Sequence, residues 1–322
     1  MRFNTMKNNR LYRRSFLAVA TSAVTAPMFS FEASAENALA AKEQPSLGFS
    51  LYGMKSLSLD VALQTCAEVG YSHVELSLNA GYVTEPSAFS AESRNVAALT
   101  LQKLKLGVPC LMVLMNLTAD DKAHAANLKL IASAAQIGRD LVPDQPPILE
   151  TVLGGNPAKW NEQKAGMVDR LRDWAAAAEN AKTVIALKAH VSNAVNSPDR
   201  LLWLLDEVKS PALQVAYDYS HFELQGIDMA ESMKLLLPRT RFIHVKDSQG
   251  DAAKFQFVLP GEGRTDYVQY FSVLKQHGYT GPVCVEVSGQ VFSKPGYDPI
   301  AAAKQCHATL SVALAKAFHS NN

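Results

Sequence analysis

The feature that most constrains the fold of this chain is a regular alternation of short apolar runs with longer amphipathic stretches. Eight apolar runs begin at Leu47 and read LGFSLYG, HVELSL, VPCLMVLMN, PILETVL, VIALKAHV, LQVAYDYS, RFIHVKD and PVCVEVSG. Runs of this length, bounded by turn residues, are typical of buried strands. Because strands that alternate with helices pair in parallel, the pattern predicts an α/β fold with crossover helices.

The stretches between the runs carry apolar residues at helical spacing and supply the predicted helices. They span residues 57–69, 127–138, 164–182, 198–208, 229–237 and 266–277. Eight strands in about 280 residues predict one single-domain (β/α)8 (TIM) barrel over residues 47–318, rather than an open doubly wound sheet. No GxGxxG motif follows the first strand, which argues against a dinucleotide-binding fold.

Residues 1–35 have the pattern of a twin-arginine signal peptide. Arg13 and Arg14 precede a moderately apolar stretch, which ends in the small-residue cleavage pattern Ala33-Ser34-Ala35. About 15 apolar residues are too few for a membrane span. We expect cleavage after Ala35, a short linker at 36–46, and an exported, periplasmic protein without stable membrane association. An uncleaved N-terminal anchor is the alternative.

Charge and cysteine content narrow the classes of partner. The chain has 31 basic and 30 acidic residues, a formal charge of +1, so nothing predicts a nucleic-acid or anionic-membrane surface. The spacing of Cys66, Cys110, Cys284 and Cys306 contains no CxxC pair and predicts buried free thiols. A homo-oligomer is compatible with the sequence, which does not determine the oligomeric state.

Polar residues gather towards the ends of the predicted strands, where a barrel of this kind carries its functional groups. They are Glu75 in strand two, Glu150 in strand four, Lys188 and His190 in strand five, Asp218 and His221 at strand six, His244, Lys246 and Asp247 at strand seven, and Glu286 in strand eight. Burying a lone carboxylate costs several kcal/mol unless it is paired or bound to a cation. Glu286, the glutamate in VCVEV, therefore needs a basic side chain or a bound cation as a partner.

Structural explanations compete with functional ones for several of these residues. A single strand histidine such as His190 is more often a hydrogen-bonded core residue than a ligand. Glu75 could pair with Lys55 or His73 on neighbouring strands. Lys246 and Asp247 could equally form a plain salt bridge at a strand end.

Joint placement favours a functional role for three residues. Asp218, His244 and Glu286 fall near the ends of three consecutive predicted strands, so their side chains could converge. A set of two carboxylates and one imidazole suits a divalent ion such as Mn²⁺, Mg²⁺ or Zn²⁺.

From Leu47 to about Ala315 the chain resembles the sugar phosphate isomerase/epimerase superfamily of xylose-isomerase-like TIM barrels. The motifs HVEL, DYSHFELQGID, FIHVKD and LPGEGRTDYVQYFSVLKQHGYTGPVCVEV carry the likeness. The resemblance implies a divalent metal held by Asp218, His244 and Glu286, with His221 near it. It also implies a sugar-like hydroxy-carbonyl substrate that lies over the metal.

One departure from the family pattern concerns strand five. The family usually has a metal-binding glutamate there in an E-x-H arrangement, whereas this chain has Lys188-Ala189-His190. A protonated lysine cannot ligate a metal. Either His190 or Glu150 completes the coordination, or the metal site is degraded. Since one of the two family glutamates is missing, simple epimerisation between two carboxylates is in doubt.

The favoured hypothesis is a metal-dependent isomerase or epimerase that abstracts the proton next to a carbonyl of a sugar, keto-sugar or polyol. The predicted catalytic residues are Glu286, which transfers the proton, Lys188, which stabilises an enediolate or acts as second acid, and Glu150. The predicted substrate contacts are His190, His221, Lys246 and Arg264, and the predicted metal ligands are Asp218, His244, Glu286 and His190.

Three other functions stay open from the sequence. The same site could catalyse elimination on a keto-glycoside, as a lyase. A non-catalytic periplasmic sugar-binding barrel is a second alternative, with Lys188 marking loss of the metal. An endonuclease of the same superfamily is the least favoured, because it needs more histidine ligands and clustered basic residues for phosphate.

Overall fold

A computed structural model describes residues 44–319 of the chain. Its strands are β1 (Ser46–Ser50), β2 (His73–Ser77), β3 (Gly107–Met112), β4 (Ile148–Val152), β5 (Ile185–Lys188), β6 (Leu213–Asp218), β7 (Thr240–Val245), β8 (Asp247–Gly250), β9 (Phe255–Val258) and β10 (Pro282–Val285). Strands β1 to β7 and β10 close a parallel barrel in the order β1-β10-β7-β6-β5-β4-β3-β2. The predicted (β/α)8 barrel and all eight of its strands are therefore confirmed.

Helices cover the outside of the barrel. They are α1 (Leu59–Val69), α2 (Ala91–Leu104), α3 (Asp121–Leu141), α4 (Trp160–Asn180), α5 (Pro198–Val208), α6 (Tyr219–Glu223), α7 (Met229–Leu236), α8 (Tyr267–Gln276), α9 (Gly289–Phe292) and α10 (Pro299–His319). The six predicted helices are present, and four more are additional: the long helices α2 and α10 and the short helices α6 and α9. Helix α2 buries only Ala97 and Leu101, so its sequence carries a weak apolar stripe.

The barrel interior is divided into an apolar floor and a charged layer above it. Cys110, Phe242 and Cys284 form a small separate apolar cluster. His244 lies two residues after Phe242, and Glu286 lies two residues after Cys284. Because strand side chains alternate, each pair points to the same face, with the charged residue nearer the carboxyl end. The predicted free thiols are confirmed, since all four cysteines are buried and unbridged.

The hairpin of β8 and β9 was not predicted from the sequence. It is antiparallel and follows directly after β7, in the stretch between the seventh predicted strand and the helix predicted at 266–277. Asp247 holds its base by accepting hydrogen bonds from the backbone N–H groups of Ser248, Gly261 and Thr265, at 3.0, 3.1 and 3.2 Å. The hairpin thereby places Phe257 at the mouth of the barrel.

The predicted signal peptide at residues 1–35 and the linker up to residue 43 lie outside the described residues, and export stays a prediction. Within residues 44–319, no helix combines the length and the apolar character that crossing a membrane requires.

Close packing of His73 against β1 generates a stability prediction. A Cβ at Gly48 would come within 2.1 Å of the His73 ring, which is buried across from it in β2. We expect Gly48→Ala to lower the free energy of unfolding by about 1–3 kcal/mol, because the ring must move within a packed core.

Gly166 in α4 is the matched control, since nothing lies within 4 Å of its added Cβ. Gly166→Ala should stabilise the protein by about 0.5–1 kcal/mol, because alanine loses less backbone entropy in a helix. Urea unfolding followed by circular dichroism measures both. Equal stability of the two variants would contradict the packing argument.

Candidate active site

The carboxyl ends of four barrel strands, β5, β6, β7 and β10, bring most of the charged residues together. Lys188 and Asp218 are the last residues of β5 and β6, and His244 lies opposite Asp218 in the β6–β7 register. Lys246 and Glu286 follow directly after β7 and β10, and the Glu286 N–H donates to Val245 O at 3.0 Å. The strands end earlier than the sequence runs suggest, so these two residues begin the loops.

Lys188 is the centre of the cluster. Its ammonium group lies 3.1 Å from Glu150 Oε1, 3.2 Å from Glu286 Oε2 and 2.9 Å from His244 Nδ1. The side chain is 2% exposed, so almost no water competes for these contacts. A buried ammonium is tolerated only when it is paired in this way.

Lys246 makes a second bridge on the other side of Glu286. Its ammonium group donates to Glu286 Oε2 at 2.5 Å and also to Asp218 Oδ2. It lies 5.0 Å from the centre of the Phe257 ring, which is within cation–π range. Of the two alternatives that the sequence left open for Lys246, the structure therefore excludes a plain salt bridge with Asp247.

Glu75 belongs to the same cluster, although the sequence favoured a structural pairing with Lys55 or His73. It contacts His244 Nε2 at 2.9 Å and accepts from Ser50 Oγ at 2.5 Å through Oε2. Each imidazole nitrogen of His244 is thus occupied, one by Glu75 and one by Lys188. The signal that could have identified Glu75 is its position between Val74 and Leu76 in a predicted barrel strand, where a buried carboxylate needs a partner.

The charges of the cluster stabilise one another despite burial. Burial alone would raise the pKa values of Asp218 and Glu286, yet the nearby ammonium groups outweigh it and hold both well below their usual range. Burial would likewise lower the pKa of Lys188, but Glu150 and Glu286 hold it well above its ordinary value. Both carboxylates and the ammonium are therefore charged at neutral pH.

Glu150 differs from the other carboxylates. It is fully buried, burial raises its pKa against the opposing effect of Lys188, and its Oε2 has no hydrogen-bond partner. It lies beneath Lys188 and does not line the pocket above the cluster. This position suits a group that holds Lys188 rather than one that touches a substrate.

A pocket of about 140 Å³ opens above the charged cluster. Five predicted site residues line it: Lys188, His190, His221, Lys246 and Glu286. Tyr52 and Phe257 also line it, and sequence reasoning missed both. Tyr52 lies two residues after the end of β1, a position that could have identified it, whereas Phe257 reaches the pocket through the unpredicted hairpin.

Two neutral histidines form one wall of the pocket. The rings of His190 and His221 lie 4.2 Å apart, and burial lowers their pKa values to about 2 and about 4. His221 lies in α6, with Nε2 3.4 Å from Asp218 Oδ2, while its Nδ1 accepts from Val191 N at 3.4 Å. His190 Nδ1 accepts from Ser192 N at 3.1 Å. Neutral imidazoles in a pocket can exchange hydrogen bonds with hydroxyl groups.

Arg264 does not reach the pocket, in contrast to its predicted contact with substrate. It donates to Gly250 O at 3.1 Å and to Glu223 O at 2.7 Å. Glu223 in turn accepts from Ser248 Oγ at 2.8 Å and from Thr265 Oγ1 at 3.1 Å. Arg264 therefore fastens the hairpin to α6, and the reason is local backbone geometry that the sequence pattern does not reveal.

The predicted metal ligands converge, but lysines hold the same side chains. Asp218, His244 and Glu286 each offer one ligand atom within 4.8 Å of the others, close enough for one ion. His190 joins no such group among the described residues. Lys188 and Lys246 already bind all three side chains. Because ammonium groups repel a cation and cannot ligate it, the arrangement does not fit a divalent ion alongside both lysines.

The coupling between Glu75 and His244 generates a second prediction. Burial lowers the pKa of His244, but the Glu75 carboxylate outweighs burial and raises it above 6.5. We expect Glu75→Gln to bring the pKa of His244 below that value, as read by NMR titration of ¹⁵N-labelled histidine. Glu68→Gln, at an exposed carboxylate that accepts from Gln64 on α1, should leave it unchanged. An unaltered titration in Glu75→Gln would contradict the pairing.

Comparison with known proteins agrees with this architecture. L-ribulose-5-phosphate 3-epimerase UlaE of Escherichia coli is 25% identical over 202 residues, which cover 62% of this chain and 67% of that enzyme. The IOLI protein, whose structure contains a zinc atom, superposes with a TM-score of 0.70 at 20% identity, covering 84% of this chain and 98% of that one.

A third similar protein is the probable 3-DHS dehydratase AsbF of Bacillus anthracis. It superposes with a TM-score of 0.67 at 16% identity, covering 83% of this chain and 98% of that one. At such identities the two structures show a shared fold. The family model described as xylose isomerase-like TIM barrel matches residues 63–307. The chain belongs to the xylose isomerase-like TIM barrel family.

Proposed function

We propose that this protein is a carbohydrate isomerase or epimerase that removes the proton next to a carbonyl group. The observation that carries the proposal is an ionised Glu286, placed at a pocket with two ammonium groups on one of its oxygens. Such an arrangement supplies a base beside the positive charge that an enediolate needs. The epimerase names of the sequence relatives support the same class of reaction.

In the proposed reaction, Glu286 accepts the proton from the substrate carbon. Its Oε2 holds both lysines, which leaves Oε1 for the proton. The electron pair of the broken C–H bond moves to the carbonyl oxygen, and the ammonium groups of Lys188 and Lys246 stabilise the resulting negative charge. Return of a proton to the same or the neighbouring carbon completes epimerisation or isomerisation.

The remaining pocket residues would orient the substrate. His190 and His221 are neutral and suit sugar hydroxyl groups, while Tyr52 and Phe257 offer faces to C–H groups. A pocket of about 140 Å³ lies well below the roughly 300–1,000 Å³ of drug-sized ligand sites. We therefore propose a small-molecule carbohydrate no larger than a monosaccharide unit at the reacting end.

The predicted Mn²⁺, Mg²⁺ or Zn²⁺ has no part in the proposed reaction, because Lys188 and Lys246 hold its predicted ligands. The proton transfer described here depends on residues of this chain alone. Elimination from a keto-sugar begins with the same proton abstraction, and it differs in that a leaving group departs from the next carbon instead of a proton returning. The products therefore distinguish the two reactions: an epimerase yields an isomer of its substrate, whereas a lyase yields an unsaturated sugar and a separate leaving group.

Incubation of the purified protein with sugars and keto-sugars in D₂O tests the proposal. Deuterium should enter a carbon next to a carbonyl, as detected by NMR or mass spectrometry. Loss of water or of an alcohol would identify the elimination instead. Binding of a sugar without exchange, elimination or isomerisation would support the non-catalytic barrel and refute the enzyme.

Substitution of the base gives the third prediction. Glu286→Gln should lower the rate of deuterium exchange by at least about 100-fold, because an amide cannot accept the carbon-bound proton. Glu231→Gln, on the exposed surface of α7, is the matched control and should retain the rate. Unimpaired exchange in Glu286→Gln would remove Glu286 from the mechanism.

A further inference from the structure

We infer that the cation of this reaction centre belongs to the chain itself: the ammonium group of Lys188, assisted by Lys246, occupies the place that a divalent ion would take. The inference starts from three side chains that could ligate one ion, Asp218, His244 and Glu286. All three are buried, so their contacts are fixed by the packing of the barrel rather than by solvent.

Each of the three side chains already accepts a hydrogen bond from an ammonium group. His244 presents Nδ1 to Lys188 at 2.9 Å, and its other nitrogen is held by Glu75. Glu286 Oε2 is shared between the two lysines, at 3.2 and 2.5 Å. Asp218 Oδ2 binds Lys246. One oxygen of each carboxylate and one nitrogen of His244 are therefore engaged by ammonium donors, and a divalent ion at these atoms would lie beside two positive charges.

Lys188 cannot move aside without leaving a carboxylate unpaired. Glu150 lies beneath it at 3.1 Å, is completely buried, and has no other ionic partner among the described residues. Withdrawal of the ammonium group would leave Glu150 either charged and unpaired or protonated, and either outcome costs free energy. Glu150 is thus a positioning residue that keeps Lys188 beneath the pocket.

Charge arithmetic leads to the same conclusion. A lysine at position 188 contributes one positive charge to the cluster. A glutamate at that position together with one divalent ion would contribute the same total, since −1 and +2 also give +1. Changing Lys188 to glutamate lowers the net charge of the cluster by two units, which one divalent ion restores. The two arrangements are electrostatically equivalent but mutually exclusive.

Metal binding tests this inference without any need for turnover. It rests on the proposed function only for the chemical role of the cation, so a failed activity assay leaves the metal result interpretable. The full chain is dialysed against EDTA and titrated with Mn²⁺, with free Mn²⁺ followed by electron paramagnetic resonance. The unaltered protein should bind no Mn²⁺ at this cluster, so Asp218→Asn should leave its titration unchanged. Lys188→Glu should bind one Mn²⁺ per chain, at least about 100-fold more tightly than the unaltered protein does.

Two controls locate the effect. Lys188→Gln removes the ammonium without adding a carboxylate, so it should gain much less affinity than Lys188→Glu. Adding Asp218→Asn to Lys188→Glu should abolish the gained Mn²⁺ site. Circular dichroism of each variant with and without Mn²⁺ reports whether the barrel is folded.

Two results would overturn the inference. The first is one Mn²⁺ or Zn²⁺ bound per chain in the unaltered protein and lost in Asp218→Asn. The second is a folded Lys188→Glu variant that binds Mn²⁺ no better than the unaltered protein. If Lys188→Glu does not fold, the titration of the unaltered protein and of Lys188→Gln still decides the question.

Discussion

A continuous network of buried, hydrogen-bonded charged and polar side chains across the barrel interior is the interaction on which the rest of the site depends. It runs from Glu75 through His244 to Lys188, and from Lys188 through Glu286 to Lys246. Every link joins an acceptor to a donor inside a medium of low dielectric constant. Removal of one link leaves its neighbours buried without a partner, which is far more costly than removal of an exposed ion pair.

This network of side chains explains how one set of residues can both stabilise the barrel and take part in the chemistry. Glu75 at its lower end, and Glu150 beneath Lys188, are completely buried and fix the orientation of the groups above them. The upper members, Lys188, Lys246 and Glu286, line the pocket and meet the substrate in the proposed reaction. Because the lower layer is rigid, the charges of the upper layer are set in place before substrate arrives, which is the condition for electrostatic catalysis.

Much of the fold could be predicted from the sequence because it depends on local periodicity. The eight strand runs and the residues at their ends follow from the alternation of apolar and amphipathic stretches. Two of the elements that escaped prediction lack a strong apolar stripe: α2 buries two residues, and the hairpin that carries Phe257 is built on backbone hydrogen bonds to Asp247. Arg264 shows the same limit, since its motif does not reveal that its donors serve the hairpin.

The sequence by itself determined the barrel, the gathering of Asp218, His244 and Glu286 at its carboxyl edge, and the unusual lysine at position 188. Parallel strands place their ends at one edge whatever the details of packing, so these conclusions need no coordinates. Only the tertiary structure decided which partner each charge has. Those pairings join residues up to 169 positions apart in the chain, and they depend on ångström distances that barrel closure sets and that no linear pattern encodes.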